Sequence, residues 1–265
     1  MHRQAISTDI TLRSRFECKY LISPLVVPEL RSFLSSFARP DRYAALRSGY
    51  RYPICSLYLD TDDLLLYQQT VGGDKNRFKL RIRTYSDDAS SPAFFEVKRK
   101  INSIVQKRRA ILDRDRAPEM LNQGLNGWLR HSNRGLMSDA EYFANHLILS
   151  AAKPVIKVRY MREAYESIGG DPVRVTIDTE LMHAVTLDHD LTRQRGRWVS
   201  TPVDGVILEL KFTERFPTWI HDLVQTFGLR QRPVPKYVWS VDHVLMSGRE
   251  SALALGGFTL PPRRA

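Results

Sequence analysis

Charged and apolar residues first alternate between Arg15 and Tyr20, where Arg15, Glu17 and Lys19 are interleaved with Phe16, Cys18 and Tyr20. A period of two predicts a strand with one charged and one apolar face. Over Pro28–Phe37 the period changes: Leu30, Phe33, Leu34 and Phe37 recur at helical spacing, which predicts an amphipathic helix. Strand character returns over Tyr52–Asp60, and a Gly72-Gly73 turn leads into Arg77–Arg83, where bases and apolar residues alternate without a break. Ala93–Lys100 then groups Phe94, Glu96, Lys98 and Lys100 on one face, and Ile104–Leu112 groups Val105, Lys107 and Arg109. Ala117–Leu149 predicts a helical insertion of two helices divided around Ser132–Gly135. Further strands are expected at Val155–Glu166, Val173–Asp178, Arg197–Ser200 and Gly205–Phe212. Helices are expected at Trp219–Phe227 and Tyr237–Met246, and a loose tail from Gly256.

Composition sharpens this pattern. With 265 residues and 43% hydrophobic content the chain can bury a sizeable core, and no Pro/Ser/Gly-rich linker divides it. A single domain over 1–265 is therefore expected, with its core at 15–245 and the insertion at 117–149. The longest apolar run, Tyr142–Ile156, is broken by Asn145, His146 and Lys153, which excludes a transmembrane helix. The first residues lack an apolar leader segment, and Cys18 and Cys55 form no CxxC pair, so a cytoplasmic setting is expected. The charge is less ordinary: Lys and Arg total 40 against 29 Asp and Glu, a surplus of +11. Such a surplus favours a polyanionic partner.

The bases are not scattered. Lys19, Lys79, Arg81, Arg83, Lys98, Lys107, Arg109, Arg174 and Lys211 all fall on strand faces, joined by Lys157, Arg159 or Arg162. A solvent-facing antiparallel sheet explains any one such strand. Like charges facing one another across strands, however, cost up to about 1 kcal/mol per directly opposed pair. That arrangement becomes useful when a polyanion sits among them. An α+β chain is expected: if the antiparallel sheet curls closed into a β-barrel of about eight strands, its bases line a tunnel for a linear phosphate chain, with flanking and inserted helices outside. Glu17, Glu96, Asp178 and Glu209 lie on the basic strands. Each could be an ion-pair partner or the ligand of a divalent cation; the metal reading is preferred for Glu209.

Nine short pieces in one order carry a family resemblance. They are Glu17-x-Lys19-Tyr20, Ser56-x-Tyr58-x-Asp60-Thr61, Lys79-x-Arg81-x-Arg83, Phe95-Glu96-x-Lys98, Lys107-x-Arg109, Tyr160-x-Arg162, Arg174-x-x-x-Asp178-Thr179, Leu208-Glu209-x-Lys211 and Pro235-Lys236-Tyr237. Together they resemble the VTC domain, the catalytic domain of vacuolar transporter chaperone polyphosphate polymerases, within the triphosphate tunnel metalloenzymes. The resemblance implies transfer of the ATP γ-phosphoryl group to a growing polyphosphate chain, with Mn²⁺ or Mg²⁺. By matching position it implies that Lys19, Arg81, Arg83, Lys98, Arg162 and Arg174 hold the reacting phosphates. Lys79, Lys107, Arg109, Lys211, Lys236 and Tyr58 would bind substrate. Glu209 would hold the metal, with Glu17, Glu96 and Asp178 as further candidates.

Two positions depart from the family pattern. Hydrolytic members of the superfamily open with Glu-x-Glu-x-Lys, whereas this chain has Arg15-x-Glu17-x-Lys19, which disfavours a hydrolase built on that pair. Trp239 stands where the polymerase branch commonly has a further Lys. With no membrane anchor, such an enzyme is expected to work in the cytosol or to need a membrane partner for export. A tunnel phosphohydrolase and a non-catalytic polyphosphate binder are the competing readings. RNA binding ranks lowest, because Phe16, Phe78 and Phe95 fall on the apolar phase and read as core. The seven histidines show no metal-binding spacing, and no P-loop or dinucleotide fingerprint occurs.

Overall fold

A computed structural model of the chain describes residues 15–102, 104–114, 118, 121, 138–170, 172–188, 191, 196–213, 215–248 and 251–261. Its strands are β1 (Arg15–Ile22), β2 (Ala38–Pro40), β3 (Arg51–Asp60), β4 (Asn76–Thr84), β5 (Ala93–Ile101) and β6 (Ile104–Leu112), followed by β7 (Lys153–Ser167), β8 (Val173–Val185), β9 (Val199–Ser200) and β10 (Val206–Thr213). The helices are α1 (Val27–Ser35), α2 (Leu65–Gly72), α3 (Asp139–Ser150), α4 (Thr218–Thr226), α5 (Lys236–Met246) and the short α6 (Ser251–Ala254). Two compact units emerge, each assembled from separate stretches of chain. The first takes residues 1–50, 163–177 and 204–234; the second takes 51–162, 178–203 and 235–265.

In the first unit the strand order is β1-β10-β8, and β2 pairs antiparallel with the end of β7. The apolar phase of these strands builds the core: Tyr20 and Ile22 from β1, Val173, Val175 and Ile177 from β8, and Leu208, Leu210 and Phe212 from β10. α1 and α4 cover it with Leu30, Leu34, Ile220 and Leu223, each fully buried and each contributing about 2 kcal/mol by its burial. Cys18 is half-buried and Cys55 buried, both as free thiols. Phe16 departs from its expected core role. It is 45% exposed and stacks on Phe212 at 5.3 Å, at the edge of the core rather than inside it.

In the second unit the order is β8-β7-β3-β4-β5-β6, with β9 on β8. Leu57, Leu80, Ile82, Phe95 and Val97 form the apolar face, and α3 lays Phe143 and Leu147 onto it, with Phe143 edge-on to Phe95 at 5.2 Å. α3 starts where it does because Ser138 and Glu141 form a reciprocal capping box. The opposite face of the same strands carries the charges.

The antiparallel α+β arrangement is the expected one, and the hydrogen-bonded series of strands has β1 and β6 as its ends among the described residues. Of the expected helical insertion, α3 is described, while 122–137, including the division around Ser132–Gly135, lies outside the described residues. α2 was not expected, and β8 runs past Asp178 to Val185. The tail is docked rather than loose as far as Phe258, which is 5% exposed beneath the Lys153 ammonium, 4.5 Å from its ring.

Candidate active site

Register turns the alternation into a pattern of rungs. Across β3, β4, β5 and β6, Tyr58 faces Arg81, Arg81 faces Glu96, and Glu96 faces Arg109. One rung along, Lys79 faces Lys98 and Lys98 faces Lys107. On the other side, Ser56 faces Arg83 and Arg83 faces Phe94. Glu96 is the hub. Its carboxylate, 1% exposed, accepts from Arg81 Nε at 2.6 Å and Arg109 Nε at 2.7 Å, and meets Lys107 Nζ at 2.7 Å. Burial alone would raise the Glu96 carboxyl, but Arg81, Arg83, Lys107 and Arg109 hold it far below the usual carboxylate range. Burial brings Lys107 down to about 8 despite Glu96.

The surrounding hydroxyls register the same positive field. Burial opposes ionisation of Tyr58, yet Arg81, Arg83 and Lys79 bring its phenol down to about 8. Tyr85 is likewise brought to about 8 by Arg83 and Arg109 against its burial. Tyr58 OH lies 3.4 Å from Arg81 Nη1, and Arg83 Nε donates to Ser56 Oγ at 3.1 Å.

A second cluster in the same unit sits on β7, β8 and α5. Arg162 grips Asp178 with two hydrogen bonds of 2.6 Å, and Lys236 Nζ lies 2.8 Å from the same carboxylate. Both cations also face the Tyr160 ring, at 5.3 Å and 4.9 Å. Tyr160 in turn acts electrostatically on Arg81 and Arg83, so the two clusters share one face. Neighbouring positions on β7 point the other way: Lys157 and Arg159 gather at the Trp198 ring. Alternation along the strand thus selects Arg162 for this face.

The first unit holds the other predicted residues. Across β1 and β10, Glu17 faces Lys211 and Lys19 faces Glu209. Lys19 Nζ lies 3.1 Å from Glu17 and 3.7 Å from Glu209, while Lys211 Nζ donates to Glu209 at 3.1 Å. Glu17, Lys19, Gln231, Arg232 and Pro233 line a cleft of about 330 Å³. Arg174 donates to Asp41 at 2.6 Å and to Glu166 at 2.7 Å. Among the described residues no three His, Cys, Asp or Glu side chains converge as a metal cage. Glu17 and Glu209, flanking one ammonium, suit a cation that takes its remaining ligands from water and phosphate, as Mg²⁺ does.

Residues outside the predicted set also belong to the cationic face. Tyr85 follows Lys79, Arg81 and Arg83 in phase, so carrying the alternation one step further finds it. Tyr237 stacks on Tyr58 at 4.7 Å and 14°, a contact that sequence spacing does not show.

The structure is that of an α+β chain with a strongly cationic sheet face. The chain belongs to the VTC domain family, whose family model matches residues 14–245. No curated protein matches it significantly. Among solved structures, PH1819 from Pyrococcus horikoshii OT3 is similar at 13% identity and a TM-score of 0.44, covering 89% of this chain and 100% of that one. HpAC1 from Hippeastrum, described as a candidate adenylyl cyclase with a dominant triphosphatase activity, is similar at 17% identity and a TM-score of 0.46, covering 89% and 96%. Among the described residues no helix is long and apolar enough to cross a membrane.

Proposed function

We propose that the chain is an ATP-dependent polyphosphate polymerase acting within one VTC-type catalytic domain. One observation carries this reading. Eight cationic side chains, Lys79, Arg81, Arg83, Lys98, Lys107, Arg109, Arg162 and Lys236, share one face with the carboxylates of Asp60, Glu96 and Asp178, and the face runs from buried at Arg83 to exposed at Lys107. Arg83, Arg162 and Lys236 are buried. Enclosing excess positive charge is costly unless an anion neutralises it.

A chain of phosphates supplies that anion. Arg81 and Arg83 can fork onto phosphate oxygens, and the Lys79–Lys98–Lys107 rung adds point charges along the path. In the reaction a terminal oxygen of the polyphosphate chain forms the new bond to the γ-phosphorus of ATP. The bond from that phosphorus to the β–γ bridging oxygen breaks, and ADP leaves. The attacking oxygen is already ionised, so positioning and charge neutralisation are the protein's main tasks.

Within the first unit, Lys19, Lys211 and Arg174 are proposed as further phosphate contacts, each giving up a carboxylate partner to make one and so adding less. A divalent cation, Mn²⁺ or Mg²⁺, would be held by Glu209 with Glu17, and when bound it offsets charge on the phosphate oxygens. The proposed setting is the cytoplasm, with ATP and polyphosphate as partners and a membrane partner only where product is exported. Incubation of purified chain with ATP and Mn²⁺ tests the reading. A ladder of polyphosphate with matching ADP is expected; release of orthophosphate alone would replace it with phosphohydrolysis, and no turnover with retained polyphosphate binding would leave a binding domain.

A further inference from the structure

Asp60 ends β3 and is completely buried. Its Oδ1 accepts from the backbone N–H groups of Thr61 and Leu66, each at 2.8 Å, and its Oδ2 accepts from Tyr67 N–H at 2.8 Å. Leu66 and Tyr67 are in the first turn of α2, so the carboxylate caps that helix in place of Leu64, which sits at φ 56° with no side-chain cap. Oδ2 also accepts the Tyr237 hydroxyl at 2.6 Å. Tyr237 is the second residue of α5, directly after Lys236, and its ring lies flat on Tyr58. A second phenol–carboxylate contact, Tyr67 OH to Asp242 at 2.5 Å, ties α2 to α5 one turn and a half further on.

Capping α2 requires a side-chain oxygen that accepts at this position. It does not require the Tyr237 hydroxyl, which reaches it from 177 residues away in sequence. That hydroxyl fixes the start of α5, where no side chain caps the helix. Lys236 leaves that same turn to reach Asp178 and the Tyr160 ring. We infer that Asp60 is a positioning residue for the anion site: through the Tyr237 hydroxyl it sets Lys236, and through the Tyr237 ring it sets Tyr58. This inference rests on the cationic face being the polyphosphate site.

Calorimetric titration with tripolyphosphate tests it in a double-mutant cycle. Tyr237→Phe keeps the ring on Tyr58 and removes only the hydroxyl, so the fold is retained; thermal melting checks this. Tyr237→Phe should weaken tripolyphosphate binding about tenfold in the native background and less than about twofold when Lys236→Met is already present, because contacting residues in one network are non-additive. Asp60→Asn, which still accepts from the α2 backbone, should repeat that pattern if it folds. Unchanged affinity in Tyr237→Phe, or equal losses with and without Lys236, would overturn the positioning role and leave Asp60 as a helix cap. A native chain that does not bind tripolyphosphate would instead overturn the proposed function, and the inference with it.

Discussion

Two charged sheet faces in this molecule are built on opposite rules. In the first unit, β1 and β10 place opposite charges directly across from one another, Glu17 against Lys211 and Lys19 against Glu209. In the second unit, β4, β5 and β6 place Lys79, Lys98 and Lys107 side by side in one rung, with Glu96 as the buried neutralising group one rung away. The first face satisfies itself, and its carboxylates surround a cation. In the second, cations outnumber the carboxylates that share their face. The difference teaches that a basic surplus of +11 is informative only once register shows which charges face one another. It also divides the proposed labour: the acidic pair can hold a divalent cation, and the cationic rungs can hold phosphate.

The largest expected effect separates these roles. Glu209→Gln keeps size and shape, so the fold and polyphosphate binding should persist. ATP-dependent synthesis should fall about a hundredfold, as when a single charge-stabilising group is lost. Rates measured across a Mn²⁺ titration check this; full activity at low metal would make Glu209 an ion-pair partner and nothing more. Next comes stability. Glu96→Gln removes the hub from three cations, and should cost about 2–4 kcal/mol by urea denaturation, because breaking a buried pair strands its partners. Glu17→Gln breaks a partly exposed pair and should cost no more than about 1 kcal/mol. Comparable losses would erase the contrast between the faces.

Acidity gives the same contrast a pH axis. The folded-state pKa of Glu96 is depressed, so its stabilisation is present above the ordinary carboxylate range and is lost as pH falls through the depressed value. At the alkaline end, Lys107, Tyr58 and Tyr85 all titrate at about 8. Losing a proton makes Lys107 neutral and the two phenols negative, so the face becomes less positive as pH rises past 8. Polyphosphate affinity should therefore drop severalfold between about pH 7 and pH 9. Tyr58→Phe should flatten part of that fall. A pH-independent affinity would place the polyanion elsewhere.

Much of the cationic face was legible in the sequence because period-two alternation directly reports which side chains share a face. Lys79, Arg81 and Arg83 required nothing further. What alternation does not report is register, so neither the like-charge rung nor the hub role of Glu96 could be read from it. Phase also slips where the backbone does: Glu180 adopts φ 56° within β8, which interrupts the alternation and hid the strand beyond Asp178. α2 was missed because Leu64, Leu65 and Leu66 are consecutive and give no helical period, and its start depends on Asp60. Arg174 shares a parity with Asp178, yet Asp41, distant in sequence, takes its guanidinium. Long-range partners of this kind follow from tertiary packing alone.

The central claim, that the second unit's like-charged rung holds the phosphate chain, is tested most directly by tripolyphosphate affinity in Lys98→Met compared with Lys211→Met at one fixed salt concentration. Lys98 faces Lys79 and Lys107 across its rung, and Lys211 donates to Glu209 in the other unit. Lys98→Met should weaken binding about tenfold, because it removes the central charge of the rung. Lys211→Met should change affinity by less than about threefold, because its charge is already offset. Equal losses, or a greater loss at Lys211, would contradict the assignment of the phosphate chain to this face.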